Sequence, residues 1–269
     1  MNSISDRPGG VSGSAKRAAA RAGDNPVVEW GARLGYGASG VLHLLLAYLT
    51  VQIALGGGGE QASQSGALAT LAQEPVGQGL LWVIGAGFTL LAVWQLTELV
   101  TRHEASDKAK AGGKLVVYIV LAWTSFTFAS GGRTSSNEQT KEFTVTLMEA
   151  PAGRVLVGLV GVAVIGIAAY HVYKGWRNRF LEDLQEHPGR WVVIAAKVGY
   201  IGKGIALGAV GVLFITAAIQ HRPGKSTGLD GALRSMRDLP AGTVILLAIA
   251  LGLAAYGVYS FARARYARV

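Results

Sequence analysis

The stretch AKVGYIGKG, residues 196–204, reads almost the same as ARLGYGASG, residues 32–40. Each carries a basic residue, an aliphatic residue, a Gly-Tyr pair and a closing glycine just as a long apolar run begins. Taken alone, the glycines around Lys203 look like a phosphate-binding loop. A Walker A loop would need glycine at Lys197 and a hydroxyl at Gly204, and a dinucleotide fingerprint starting at Gly202 would need glycine at Leu207. Both nucleotide motifs fail, and the repetition itself becomes the signal to follow.

The repetition continues downstream. GALATLAQEPVG at 66–77 matches GALRSMRDLPAG at 231–242, and KEFTVTLMEAPAG at 141–153 keeps Leu147, Pro151 and Gly153 at the same spacing. Counting back from Pro75, Pro151 and Pro240 puts Ser39, Lys114 and Lys203 at one position of three copies. The later ends align as AVWQLTE, AAYHVYK and GVYSFAR, which makes Glu98, Lys174 and Arg263 equivalent.

At 51% hydrophobic and 15% charged residues over 269 positions, the chain is too apolar for an ordinary soluble domain. Six apolar runs stand out: 34–55, 78–96, 115–129, 155–173, 198–219 and 243–261. Most approach the ~20 residues that carry a helix across a bilayer. The third is short and contains Thr124, Ser125 and Thr127. The first run is too long for a signal peptide and lacks a small-x-small cleavage site, so it reads as a retained span. Cysteine is absent, which excludes disulfides and thiolate metal sites but identifies no compartment.

The fold expected is all-α: a polytopic membrane protein with six transmembrane helices, arranged as three parallel two-helix repeats around a pseudo-threefold axis. The divisions are a disordered basic tail at 1–29, repeat 1 at 30–104, repeat 2 at 105–184 and repeat 3 at 185–269. The net charge of +9 raises the question of nucleic acid. With the N-terminus inside, 18 of the 25 Lys and Arg residues fall on the inner side and 7 on the outer. That asymmetry places both termini in the cytoplasm and makes the basic residues a membrane-facing set, not a nucleic-acid surface.

The chain resembles the three-repeat, six-span bacterial membrane proteins grouped as domain of unknown function 1206, found mainly in actinobacteria. The resemblance rests on the basic-x-Gly-Tyr-x-x-x-Gly entrance, the G-A-L-x-x-L/M-x-x-x-P-x-G segment and the aromatic-rich ends of the second spans, and it covers roughly residues 30–265. The middle copy departs from the pattern, with Lys110 and Leu115 at the glycine positions. The resemblance implies architecture and membrane location and carries over no catalytic residue.

Few residues bear chemistry. An ionisable side chain in a span is a functional candidate by default. Lys203 and Lys114 read as snorkelling anchors at span entrances, and with Lys197 and Arg33 they form the set expected to touch lipid or headgroups. His43, near mid-membrane, His171 and Glu98 form the candidate intramembrane polar site. The two histidines are a conceivable haem pair, but they fall at apparently different depths. Glu98, Lys174 and Arg263 read as polar helix ends, or else as an ion-pair ring. No catalytic, cofactor or metal site is expected. The reading is a non-enzymatic scaffold or accessory component of a membrane complex in the bacterial plasma membrane. Its expected partners are membrane lipids, other membrane proteins or further copies of itself, and not nucleic acid. The alternative is a small transporter or channel for an ion, lipid or amphiphile. An axis packed by Gly, Ala and Leu would favour the scaffold, and a polar axis the transporter.

Overall fold

The computed structural model describes residues 26–57, 59–101, 104–150, 152–222 and 228–266. The expected disorder of residues 1–25 and the role of Pro151 lie outside the described residues. The tail boundary moves, because helix α1 already starts at Pro26.

Nine α-helices occur among the described residues: α1 (Pro26–Ala54), α2 (Gln64–Ala72), α3 (Pro75–Thr101), α4 (Ala105–Ala129), α5 (Ser136–Glu149), α6 (Gly153–Trp176), α7 (Arg190–Gln220), α8 (Gly228–Arg237) and α9 (Gly242–Tyr266). A 3₁₀ turn, Arg179–Asp183, lies between α6 and α7. Helices α1, α3, α4, α6, α7 and α9 are long and apolar enough to cross a membrane. The shortest, at 24 residues, reaches about 36 Å against ~30 Å of hydrocarbon. The polar residues of the third apolar run do not interrupt α4. Thr124, Ser125 and Thr127 donate their hydroxyls to the carbonyls four residues back, at 2.8, 2.7 and 2.9 Å. Each buried donor is thereby satisfied within its own helix.

The repeated Pro-x-Gly segments have a common physical reason. Pro75 opens α3, where its missing N–H removes nothing from the helix, and Pro240 stands two residues before α9. The glycine lets the incoming span pass under the carbonyls that end the preceding short helix. A Cβ on Gly77 or Gly153 would lie 1.8 Å from the carbonyl oxygen of Leu71 or Leu147, and one on Gly242 would lie 2.4 Å from that of Met236. All three copies need glycine at that point for the same contact.

The six spans pack side by side in the order α4, α3, α1, α9, α7, α6. The tightest interfaces join different copies: α6 to α7, α9 to α1, and α3 to α4. Equivalent positions meet at two of them. A Cβ on Gly257 would stand 3.0 Å from the carbonyl oxygen of Gly40, and one on Gly204 would stand 2.8 Å from that of Ala168. Such small residues let helix backbones approach closely. Within the copies, α1 packs on α3 and α7 on α9, but α4 and α6 share at most a marginal contact. The middle copy is therefore no hairpin. Its two spans stand at opposite ends of an open series and are the least buried of the six.

Helices α2, α5 and α8 gather at one end, here the capped end. Asp230 of α8, 5% exposed, ties the three copies together there. Its carboxylate accepts from Ala62 N at 2.8 Å, Asn137 Nδ2 at 3.1 Å and Arg234 Nε at 2.9 Å. The main apolar core lies beneath this cap, with Leu46, Ile53, Leu81, Leu246 and Ile249 of the spans against Leu68 and Leu233 of the cap.

Candidate functional site

Toward the opposite end, where Pro26 and Tyr266 lie, the inside of the series turns polar. Helix α7 starts at Arg190, so Lys203 sits thirteen residues along it, roughly 20 Å from its start. Gly202 packs on α9 and Gly204 on α6, which directs the lysine between them. Its ammonium stands 4.1 Å from the centroid of the Tyr256 ring, a cation–π contact.

His43 lies against the same tyrosine, ring centroids 4.5 Å apart, and donates from Nδ1 to the Ser39 carbonyl at 2.7 Å. His171 donates likewise to Ile167 O at 2.8 Å and sits 5.9 Å from the Tyr200 ring. In each neutral ring Nε2 is left as an acceptor. Tyr200 and Tyr256 lie 5.2 Å apart, so Lys203, His43 and His171 pack against one pair of tyrosine rings.

A ring of tyrosines completes the site. Tyr36 accepts from Arg263 Nη2 at 3.1 Å while the guanidinium lies 4.2 Å from its ring. The equivalent Tyr200 has Lys174 at 5.4 Å from its ring. The tyrosine of the Gly-Tyr motif therefore meets the basic residue that ends a second span in two interfaces. Lys174 pairs with Asp183 at 2.6 Å, on the 3₁₀ turn that Phe180 anchors between Tyr200 and Tyr259. Among the described residues the ion-pair ring of Glu98, Lys174 and Arg263 does not form, because Lys174 and Arg263 take these other partners.

Lys114 is exposed on α4, and His43, His171, Lys203 and Arg263 are half-buried. Arg33 and Lys197 make other contacts. Arg33 donates to Arg265 O at 3.0 Å on the rim of an apolar groove of about 800 Å³ between α3, α1 and α9. Lys197 lies 5.7 Å from the Trp176 ring. No cluster of three metal-ligating side chains occurs among the described residues.

Sequence reasoning missed Asp230, Asn137, Asp183 and the tyrosines. The Gly-Tyr repeat was the available signal for Tyr36 and Tyr200, but it drew attention to its glycines.

Six helices long and apolar enough to cross a membrane, in three sequence copies, are those of a multi-pass α-helical membrane protein. The chain belongs to the family described as Domain of Unknown Function (DUF1206), which matches it three times, at 34–102, 109–178 and 198–267. It is also similar to the uncharacterized protein YxxB of Bacillus subtilis (strain 168), 31% identical over 255 residues, covering 90% of this chain and 92% of the relative. No solved structure matches it.

Proposed function

We propose that this is a plasma-membrane carrier for a small amphiphile, with both termini in the cytoplasm and the polar half of the interior serving as a vestibule that faces it. The observation that carries the reading is the division of the interior. One half is closed by leucine and isoleucine under the three-helix cap, and the other holds Lys203, His43, His171 and Tyr256. A scaffold gains nothing from ionisable groups within a span, which are costly to keep there. A channel needs a polar path through both halves, and the capped half is apolar. A polar half that opposes a closed apolar half fits a carrier at one stage of its cycle. The orientation rests on the Lys/Arg asymmetry.

The scaffold reading keeps one supporting observation, the two unpaired edges at α4 and α6, which a protein partner would cover. Gentle detergent extraction followed by mass spectrometry of the intact protein separates the two readings. A carrier retains a stoichiometric small amphiphile, and a scaffold retains a stoichiometric protein. Recovery of a protein partner with no bound small molecule overturns the carrier. Neither catalysis nor nucleic-acid binding has a part in this proposal. Lipid belongs to it twice, in the vestibule and along the groove by Arg33.

A further inference from the structure

The groove between α3, α1 and α9 is apolar along its length and charged at one end. Trp30, Leu34, Gly37 and Val41 of α1 line it at spacings of four, three and four residues, so they form one stripe of that helix. From Trp30 to Val41 the stripe runs about 16 Å, roughly half the thickness of the hydrocarbon. Val83 of α3 and Phe261 of α9 line the groove as exposed side chains, and Ile84 lines it as a buried one. A slot of this kind along a membrane span takes up an acyl chain, the apolar material that surrounds it.

The charged end says what the chain is attached to. Arg33, Gln185, Glu186, Arg265 and Tyr266 line it there. The connection after the 3₁₀ turn is brought to this point by Gln185 N, which donates to Tyr266 O at 2.8 Å, and by Leu184, buried in the aromatic cluster. Arg33 is already engaged in holding the Arg265 carbonyl. One cation and one anion remain. The Arg265 guanidinium has the Tyr266 ring 5.6 Å away, and the Glu186 carboxylate is exposed and makes no ion pair among the described residues. Trp30 and Tyr266 beside them are the aromatic residues typical of headgroup level.

We infer that this groove binds a glycerophospholipid whose zwitterionic headgroup carries a primary ammonium, with Arg265 on the phosphate, Glu186 on the ammonium and an acyl chain along the α1 stripe. The guanidinium supplies a planar donor pair suited to phosphate, and the carboxylate accepts from the ammonium N–H groups. This rests on the membrane placement of the spans and on the lipid already assigned to the groove, and it adds the headgroup. It is independent of what the polar half of the interior carries.

Gly37 supplies a means of closing the groove, because a Cβ added there meets no other atom within 4 Å. The test measures lipid binding to the full chain in neutral detergent by native mass spectrometry, with phosphatidylethanolamine, phosphatidylcholine and phosphatidylglycerol of the same acyl chains as probes. Wild type binds phosphatidylethanolamine about tenfold more tightly than the other two, as one charge-assisted hydrogen bond supplies. Glu186→Gln brings phosphatidylethanolamine and phosphatidylcholine within about twofold of each other, and Glu186→Asp keeps the preference. Gly37→Leu weakens all three by about tenfold and melts like wild type in lipid-free detergent, with Gly37→Ala in between. Equal binding of phosphatidylethanolamine and phosphatidylcholine by wild type, or a preference for phosphatidylglycerol, overturns the headgroup. Undiminished binding by Gly37→Leu overturns the groove as the site, and so does a wild type that binds none of the three. The carrier reading fails separately, since Gly37 and Glu186 line the groove and an amphiphile held in the polar half stays bound in both variants.

Discussion

Asp230 receives a backbone N–H from the first copy, an amide from the second and a guanidinium from its own helix. Removing it strands the buried Ala62 N–H and takes a partner from Asn137 and Arg234, and each hydrogen bond to a charged group contributes ~1.5–3 kcal/mol. Asp230→Ala is expected to cost about 2–4 kcal/mol and to lower the melting temperature in detergent by several degrees. Asp230→Asn keeps an acceptor for Ala62 and is expected to cost less than half of that. Equal melting of wild type and Asp230→Ala would show that the cap is held by its apolar contacts alone. At the same scale, the absence of cysteine makes single-thiol labelling direct. Ser39→Cys and Lys114→Cys are expected to react with a water-soluble maleimide, while Leu46→Cys, 3% exposed, is not. Labelling of Leu46→Cys as fast as Ser39→Cys would mean that water runs the length of the interior.

The short helices and the spans meet at glycines whose purpose the sequence alone left open. Gly77, Gly153 and Gly242 lie under carbonyls of the preceding helix, so alanine forces the two elements apart. Each substitution is expected to destabilise by about 1–3 kcal/mol, the usual cost of overpacking. Gly113→Ala has open space around it and is expected to be silent or mildly stabilising in a thermal shift assay. The existence and approximate extent of every span were legible because hydropathy records what leaves water. Span ends were not. Lys197 split the apolar stretch of α7, so the run seemed to begin at Val198 when the helix begins at Arg190.

For the molecule as a whole, the three copies and their orientation could be read from spacing, and the pairing of spans could not. Each repeat looked like a hairpin because its spans are consecutive, but lipid-facing and helix-facing apolar residues are written in the same letters. The breach between α4 and α6 leaves no mark in hydropathy for that reason. Likewise Tyr200 of α7 meets Tyr256 of α9, and Tyr36 of α1 meets Arg263 of α9, coincidences in space that one-dimensional periodicity does not encode. Reporter fusions at both ends of the chain are expected to place them in the cytoplasm, as the basic residues imply. An external C-terminus would turn the vestibule outward and reverse the direction in which it loads.

The separation of α4 from α6 also bears on how the protein is made. Chains fold broadly from the N-terminus as they are synthesised. α1, α3 and α4 emerge in succession and are neighbours, so the first half can pack as it enters the bilayer. α6 emerges next and finds no earlier span to rest on beyond at most a marginal contact with α4. Its main partner among the spans is α7, and the span that α7 packs on in turn is α9, the last to appear. A chain stopped after residue 131 is therefore expected to persist in cells longer than one stopped after residue 185, despite being shorter. Pulse-chase half-lives of the two truncations decide it, and a longer life for the 185-residue chain would mean that α6 is sheltered by something other than its own sequence.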